Sequence, residues 1–130
     1  MKEFDRMYQI STENAPAAIG PYCQATVHNG MVFTSGQIPL DPATGAIAGT
    51  TIEEQAHQVC RNLSAVLTAA GSDLTKVLKT TCFLASMDDF AAFNGVYAQY
   101  FTGKPARSCV AVKTLPRNVL VEVECIAVVE

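Results

Sequence analysis

Val119-Leu120-Val121-Glu122-Val123-Glu124-Cys125-Ile126-Ala127-Val128-Val129 is the stretch whose reading decides the fold. Alternate residues of a strand share a face. One face is Val119, Val121, Val123, Cys125, Ala127 and Val129, apolar throughout, and calls for helices laid over it. The other carries Leu120, Glu122, Glu124, Ile126 and Val128, two carboxylates among aliphatic side chains. With Met31 and Phe33 alongside, that second face is too apolar for bare solvent, so other subunits are expected against it.

Helices to cover the first face lie upstream. Thr51-Ile52-Glu53-Glu54 has capping-box spacing, and Ile52, Ala56, Val59, Cys60, Leu63, Val66, Leu67 and Ala70 follow at helical period up to Gly71. Ser86-Met87-Asp88-Asp89 caps a second helix ending near Phe101, with Phe90, Asn94, Tyr97 and Phe101 along one stripe. Strands are expected at Tyr22 to His28 and Met31 to Ser35, joined by Asn29-Gly30 as a two-residue hairpin turn. If His28 pairs with Met31, Tyr22 and Ser35 sit diagonally, roughly 7–8 Å apart, and can line one pocket. Gly36 follows, where a missing side chain permits close approach. Further strands are read at Val77 to Ala85 and Arg107 to Lys113. The order strand, strand, helix, strand, helix, strand, strand is that of an α+β sheet with two helices on one face.

Composition agrees. A chain of 130 residues, 49% apolar and 16% charged, forms one domain with a real core, and the low charge hints at surface hidden by self-association. Net charge is −3 with no basic run, so nucleic acid is not an expected partner. No apolar run reaches membrane-span length, and Met1-Lys2-Glu3-Phe4-Asp5 does not read as a signal peptide. Cysteines 23, 60, 82, 109 and 125 contain no Cys-x-x-Cys pair, which points to reduced thiols in a cytoplasmic protein without a zinc or disulfide framework.

One residue stands out. In Pro105-Ala106-Arg107-Ser108-Cys109-Val110 an arginine lies among small and apolar neighbours with no acid near it in sequence. Its planar fork matches a carboxylate or phosphate bidentately, so its anion must come from elsewhere in the fold, from another subunit or from a ligand.

These segments carry a resemblance. Asn14-Ala15-Pro16-Ala17-Ala18-Ile19-Gly20-Pro21-Tyr22, Thr34-Ser35-Gly36-Gln37-Ile38-Pro39, Lys79-Thr80-Thr81, Pro105 to Val110 with Leu115-Pro116, and Val121-Glu122-Val123-Glu124 occur in one order. Together they resemble the reactive intermediate deaminase family, also called Rid or YjgF. The resemblance implies a chorismate-mutase-like mixed sheet of about six strands backed by two helices. The last strand would be inserted centrally, and the chains assembled as a homotrimer with sheets inward and sites between subunits.

The activity of the family's archetypal members, which the resemblance implies here, is hydrolysis of 2-aminoacrylate/2-iminopropanoate and 2-iminobutanoate to 2-keto acids and ammonia, without metal or cofactor. The resemblance assigns Arg107 to the substrate carboxylate and Glu122 to the attacking water. The Cys109 carbonyl and the Ser35-Gly36 segment supply polar contacts, while Tyr22 and Asn94 complete the pocket. Glu124 is the structural carboxylate, Cys109 has no histidine placed to activate it, and His28 and His57 read as solvated. One departure is the short Thr102-Gly103-Lys104 loop, with Lys104 where an aromatic residue often precedes the proline. Two other readings stand beside deamination: a non-catalytic trimer binding small 2-keto carboxylates, and an endoribonuclease, against which the acidic balance weighs.

Overall fold

Strand Val121–Val128 (β6) is hydrogen-bonded on both flanks, to Met31–Thr34 (β3) and to Val77–Leu84 (β4), both antiparallel. The computed structural model describes residues 6–130; the stretch Met1 to Asp5, expected not to be a signal peptide, lies outside them. Tyr8–Ile10 (β1) and Ala25–His28 (β2) extend the sheet beyond β3, and Ala106–Ala111 (β5) closes the other end, parallel to β4. The order is β1-β2-β3-β6-β4-β5, six strands, mixed, with the last strand of the chain near its centre.

The hairpin pairs His28 with Met31 and Thr26 with Phe33, with Asn29 and Gly30 both at positive φ as a two-residue turn demands. Its strands are shorter than the sequence suggests. The alternation ends at Gln24, whose buried side chain accepts from the Thr12 amide (2.7 Å) and donates to the carbonyls of Thr12 (3.0 Å) and Pro16 (2.8 Å). Strand β1 escaped the sequence reading because three residues give too little alternation to detect.

Helix Ile52–Ala69 (α1) starts with the capping box intact: Thr51 Oγ1 accepts from the Glu54 amide, and Glu54 Oε1 accepts from the Thr51 amide. Its apolar stripe is buried against the sheet. Helix Phe90–Tyr100 (α2), introduced by a short turn capped by Ser86, is rotated from expectation. Phe93, Val96, Tyr97 and Phe101 enter the core, while Phe90 and Asn94 are half-buried on the flank over β5. His57, expected to be solvated, meets Tyr100 Oη at 2.8 Å instead, because the two helices pack side by side. His28 is exposed as expected.

The core lies between helices and sheet, and Val121, Val123, Cys125 and Ala127 are its β6 contribution. Among the described residues, no helix is long and apolar enough to cross a membrane. Asn62 of α1 fastens the loop that leaves β3. Its Nδ2 donates to the carbonyls of Ile38 (3.2 Å) and Leu40 (3.0 Å), and its Oδ1 accepts from Gln58 (2.8 Å). Asn62→Ala should strand two carbonyls and destabilise the chain by about 2–4 kcal/mol, read from urea unfolding.

Candidate functional site

The expected site residues form two groups. Tyr22, Ser35, Gly36 and Glu122, with Ile38 and Pro116, line one cleft of ≈ 480 Å³. Asn94 and Arg107, with Tyr97, Ala98, Phe101, Thr102, Lys104 and Pro105, line another of ≈ 390 Å³.

Register explains the separation. Thr80, buried under α2 with its Oγ1 2.7 Å from Tyr97 Oη, pairs with Arg107, so Arg107 is on the helix face. Cys109 pairs with Cys82 on that same face. Glu122 pairs with Phe83 and alternates with buried Val121 and Val123, so it is on the opposite face. Arg107 is also two strands over from Glu122 and three register positions along, roughly 10 Å in each direction. A small imino acid spans roughly half of either distance. One chain therefore cannot apply both residues to one such molecule.

Arg107 is surrounded by neutral groups. Its Nη1 donates to Asn94 Oδ1 at 2.7 Å, and its Cζ lies 4.8 Å from the Tyr97 ring centroid and 5.4 Å from that of Phe90. The cleft beside it contains a second cation, Lys104, and no acidic side chain in its lining. Lys104, the departure in the short loop, is held at φ 52° with its amide donating to the Phe101 carbonyl.

Strand β5 is a sheet edge. The Val112 amide donates to Leu84 O, so by alternation the backbone groups of Cys109 and Arg107 face the open side. The Cys109 carbonyl is thus free toward that edge. Burial raises the Cys109 thiol above its ordinary value, an effect Arg107 opposes, which argues against a thiolate nucleophile. Cys60, Cys82 and Cys125 are pushed up to about 12 by burial and are inert core thiols.

The other cleft is built around a close approach. A Cβ on Gly36 would collide with the Glu122 carboxylate, its Cδ 2.9 Å and Cγ 3.0 Å from the added atom. The Gly36 signal in the sequence thus has a cause: the glycine makes room for the carboxylate. Ser35 Oγ donates to the Cys23 carbonyl at 2.6 Å, leaving its lone pairs as acceptors, and Tyr22 is 56% exposed at the rim. Burial, and secondarily Glu124, raise the Glu122 carboxyl above the ordinary carboxylate value. Among the described residues, no group of three or more His, Cys, Asp or Glu side chains is arranged to hold a metal ion.

Residues 12–129 match the Endoribonuclease L-PSP family. The chain belongs to the Rid family. A RutC family protein of Synechocystis is 55% identical over 92% of this chain and 94% of its own length. The 2-iminobutanoate/2-iminopropanoate deaminase of Salmonella typhimurium is 50% identical over 92% and 95%. The structure of E. coli TdcF with bound serine superposes with a TM-score of 0.90 at 43% identity, covering 95% of this chain and 99% of that one. Within this Rid-family chain, the sequence pointed to Asn94 and Arg107 but not to the two rings packed on the guanidinium. Phe90 and Tyr97 share the Asn94 stripe, yet only the parallel β4–β5 pairing shows that Arg107 lies beneath it.

The raised Glu122 fixes the sign of a pH effect. Between the ordinary Glu value and the raised one, the native chain keeps a proton that the unfolded chain has released, so stability falls as pH rises through that window. Glu122→Gln should therefore melt higher than the parent at neutral pH, the gap closing below about pH 4, as scanning calorimetry would show. Gly36→Ala should displace the Glu122 carboxylate, seen as a changed Glu122 titration by carboxyl NMR.

Proposed function

We propose that this Rid-family protein is a deaminase that hydrolyses small 2-imino acids, 2-iminopropanoate and 2-iminobutanoate, to 2-keto acids and ammonia. The observation that carries the reading is Arg107 without an acidic partner, in a cleft whose lining includes a second cation, Lys104, and no acid. A permanently charged fork in such a place suits a ligand carboxylate. The deaminase name of the Salmonella relative and the serine bound by TdcF support the same class of small carboxylate.

Because the two clefts occupy opposite faces, the site would be shared between copies of the chain. The Arg107–Asn94 cleft and Cys109 carbonyl of one copy would meet the Glu122, Tyr22, Ser35 and Gly36 cleft of the next. A homotrimer with sheets inward would cover Phe33 and Val110, which the single chain leaves exposed.

The chemistry follows from the groups. Arg107 holds the carboxylate and thereby fixes the adjacent C=N carbon. Glu122 takes a proton from water as its oxygen adds to that carbon. The nitrogen takes up a solvent proton to give the carbinolamine. Glu122 then returns its proton to that nitrogen, and ammonia leaves as the hydroxyl proton passes to solvent and C–O becomes C=O, giving the keto acid. An enamine enters by protonation at its β-carbon. The imine is already an activated electrophile, so the step needs no cofactor. A net charge of −3 weighs against RNA as the substrate despite the ribonuclease name of the family.

Coupling the purified protein to a serine or threonine dehydratase and following keto acid release tests this directly. Arg107→Ala should lower kcat/KM by about two to three orders of magnitude, the loss of a charge-assisted bidentate contact. Glu122→Gln should still bind 2-keto acids while turnover falls about 10²–10⁴-fold. Mixing the two inactive variants under subunit exchange should restore about a quarter of parental activity, since random assembly pairs an intact Arg107 with an intact Glu122 that often. No recovery on mixing would exclude the shared site. Acceleration absent from the parent protein, with 2-keto acids bound, would leave a binding protein; RNA cleavage dependent on Arg107 would replace the deaminase.

A further inference from the structure

Arg107 is gripped before any ligand arrives. Asn94 takes one edge of its guanidinium at 2.7 Å, and the rings of Tyr97 and Phe90 stand 4.8 and 5.4 Å from its Cζ. No other hydrogen bond of this side chain occurs among the described residues, so Nε and Nη2 keep free N–H groups. Tyr97 is itself immobilised. Its phenol meets Thr80 Oγ1 at 2.7 Å, and its ring stacks on Phe101 at 4.4 Å and 24° and leans on Phe93 at 5.6 Å. Thr80 is fully buried and is the β4 residue in register with Arg107. The contacts therefore close on themselves: backbone neighbour Thr80 fixes Tyr97, and Tyr97 fixes the arginine's plane.

We propose that Tyr97 is the positioning residue of the carboxylate clamp, its Thr80-anchored ring setting the plane of the Arg107 guanidinium, with Phe90 as the second ring. This rests on the reading of Arg107 as a clamp. An arginine on a free stem would surrender its rotamer freedom when a ligand bound; one already oriented surrenders little, and affinity rises accordingly. The ring face also attracts the cation through its quadrupole, an interaction strengthened where water is excluded. With Asn94 occupying Nη1, the Nε–Nη2 edge is left for a planar anion. Hydrogen-bonded Asn94 alone would let the fork pivot; the ring removes that pivot.

A core role for Tyr97 must be separated from a positioning role. Tyr97→Phe keeps the ring, while a trifluorinated phenylalanine at the same position keeps the shape and drains the negative face. Two quantities are read on the full-length protein: affinity for 2-oxobutanoate by calorimetry, and the order parameter of Arg107 Nε–H by ¹⁵N NMR without ligand. The fluorinated variant should bind about 3–30-fold more weakly than Tyr97→Phe and show a looser Arg107, with equal thermal stability. Phe90→Leu, a change on the half-buried flank, should shift both readings in the same direction. Unchanged Arg107 order in the fluorinated and Phe90→Leu proteins would overturn the proposal. Loosened Arg107 with unchanged affinity would instead refute the clamp reading on which it stands.

Discussion

Strand β6 carries core on one face and carboxylates on the other, and it must be hydrogen-bonded on both flanks to do so. That double demand organises the chain. The helix face, Val121 to Ala127 in alternate positions, needs α1 and α2 above it, and the chain supplies both before β6 is made. The far face holds Glu122 in a setting dry enough to raise its proton affinity, and only Gly36 among the residues at that point allows the carboxylate to sit there. Inserting the last strand between β3 and β4 also separates β5 from the hairpin. The arginine strand is thereby sent to an edge, and the two chemical groups to two faces.

Local signals were legible where the physics is local. The capping box at Thr51, the Asn29-Gly30 turn and the period of α1 are set by residues within one or two turns of each other, and each is found as read. The position of β6 was not, because neighbours as distant as Val32 and Thr80 decide it through backbone bonds that carry no side-chain signature. Resemblance supplied the central insertion. The α2 stripe shows the same limit: period alone could not distinguish Phe93 as core from Phe90 as flank, since both are apolar and three residues apart.

For the site, residue types were readable and their grouping was not. An unaccompanied arginine and a glycine after a strand both announce an unusual demand. The demands proved different: Arg107 is supported by rings from a helix, and Gly36 yields space to Glu122. Faces follow from register, and register from pairings far apart in sequence.

The open edge of β5 has a consequence for the life of a newly made chain. Its outward amides and carbonyls, with exposed Val110 beside them, form a ready template for strand addition by any extended segment nearby. The opposite edge, β1, is three residues long and offers little to copy. Among the described residues, the template for strand addition thus lies at the β5 side. Aggregation of the lone chain would begin at that edge, and so depend on how many such chains are present together more than on how firmly the fold itself is held.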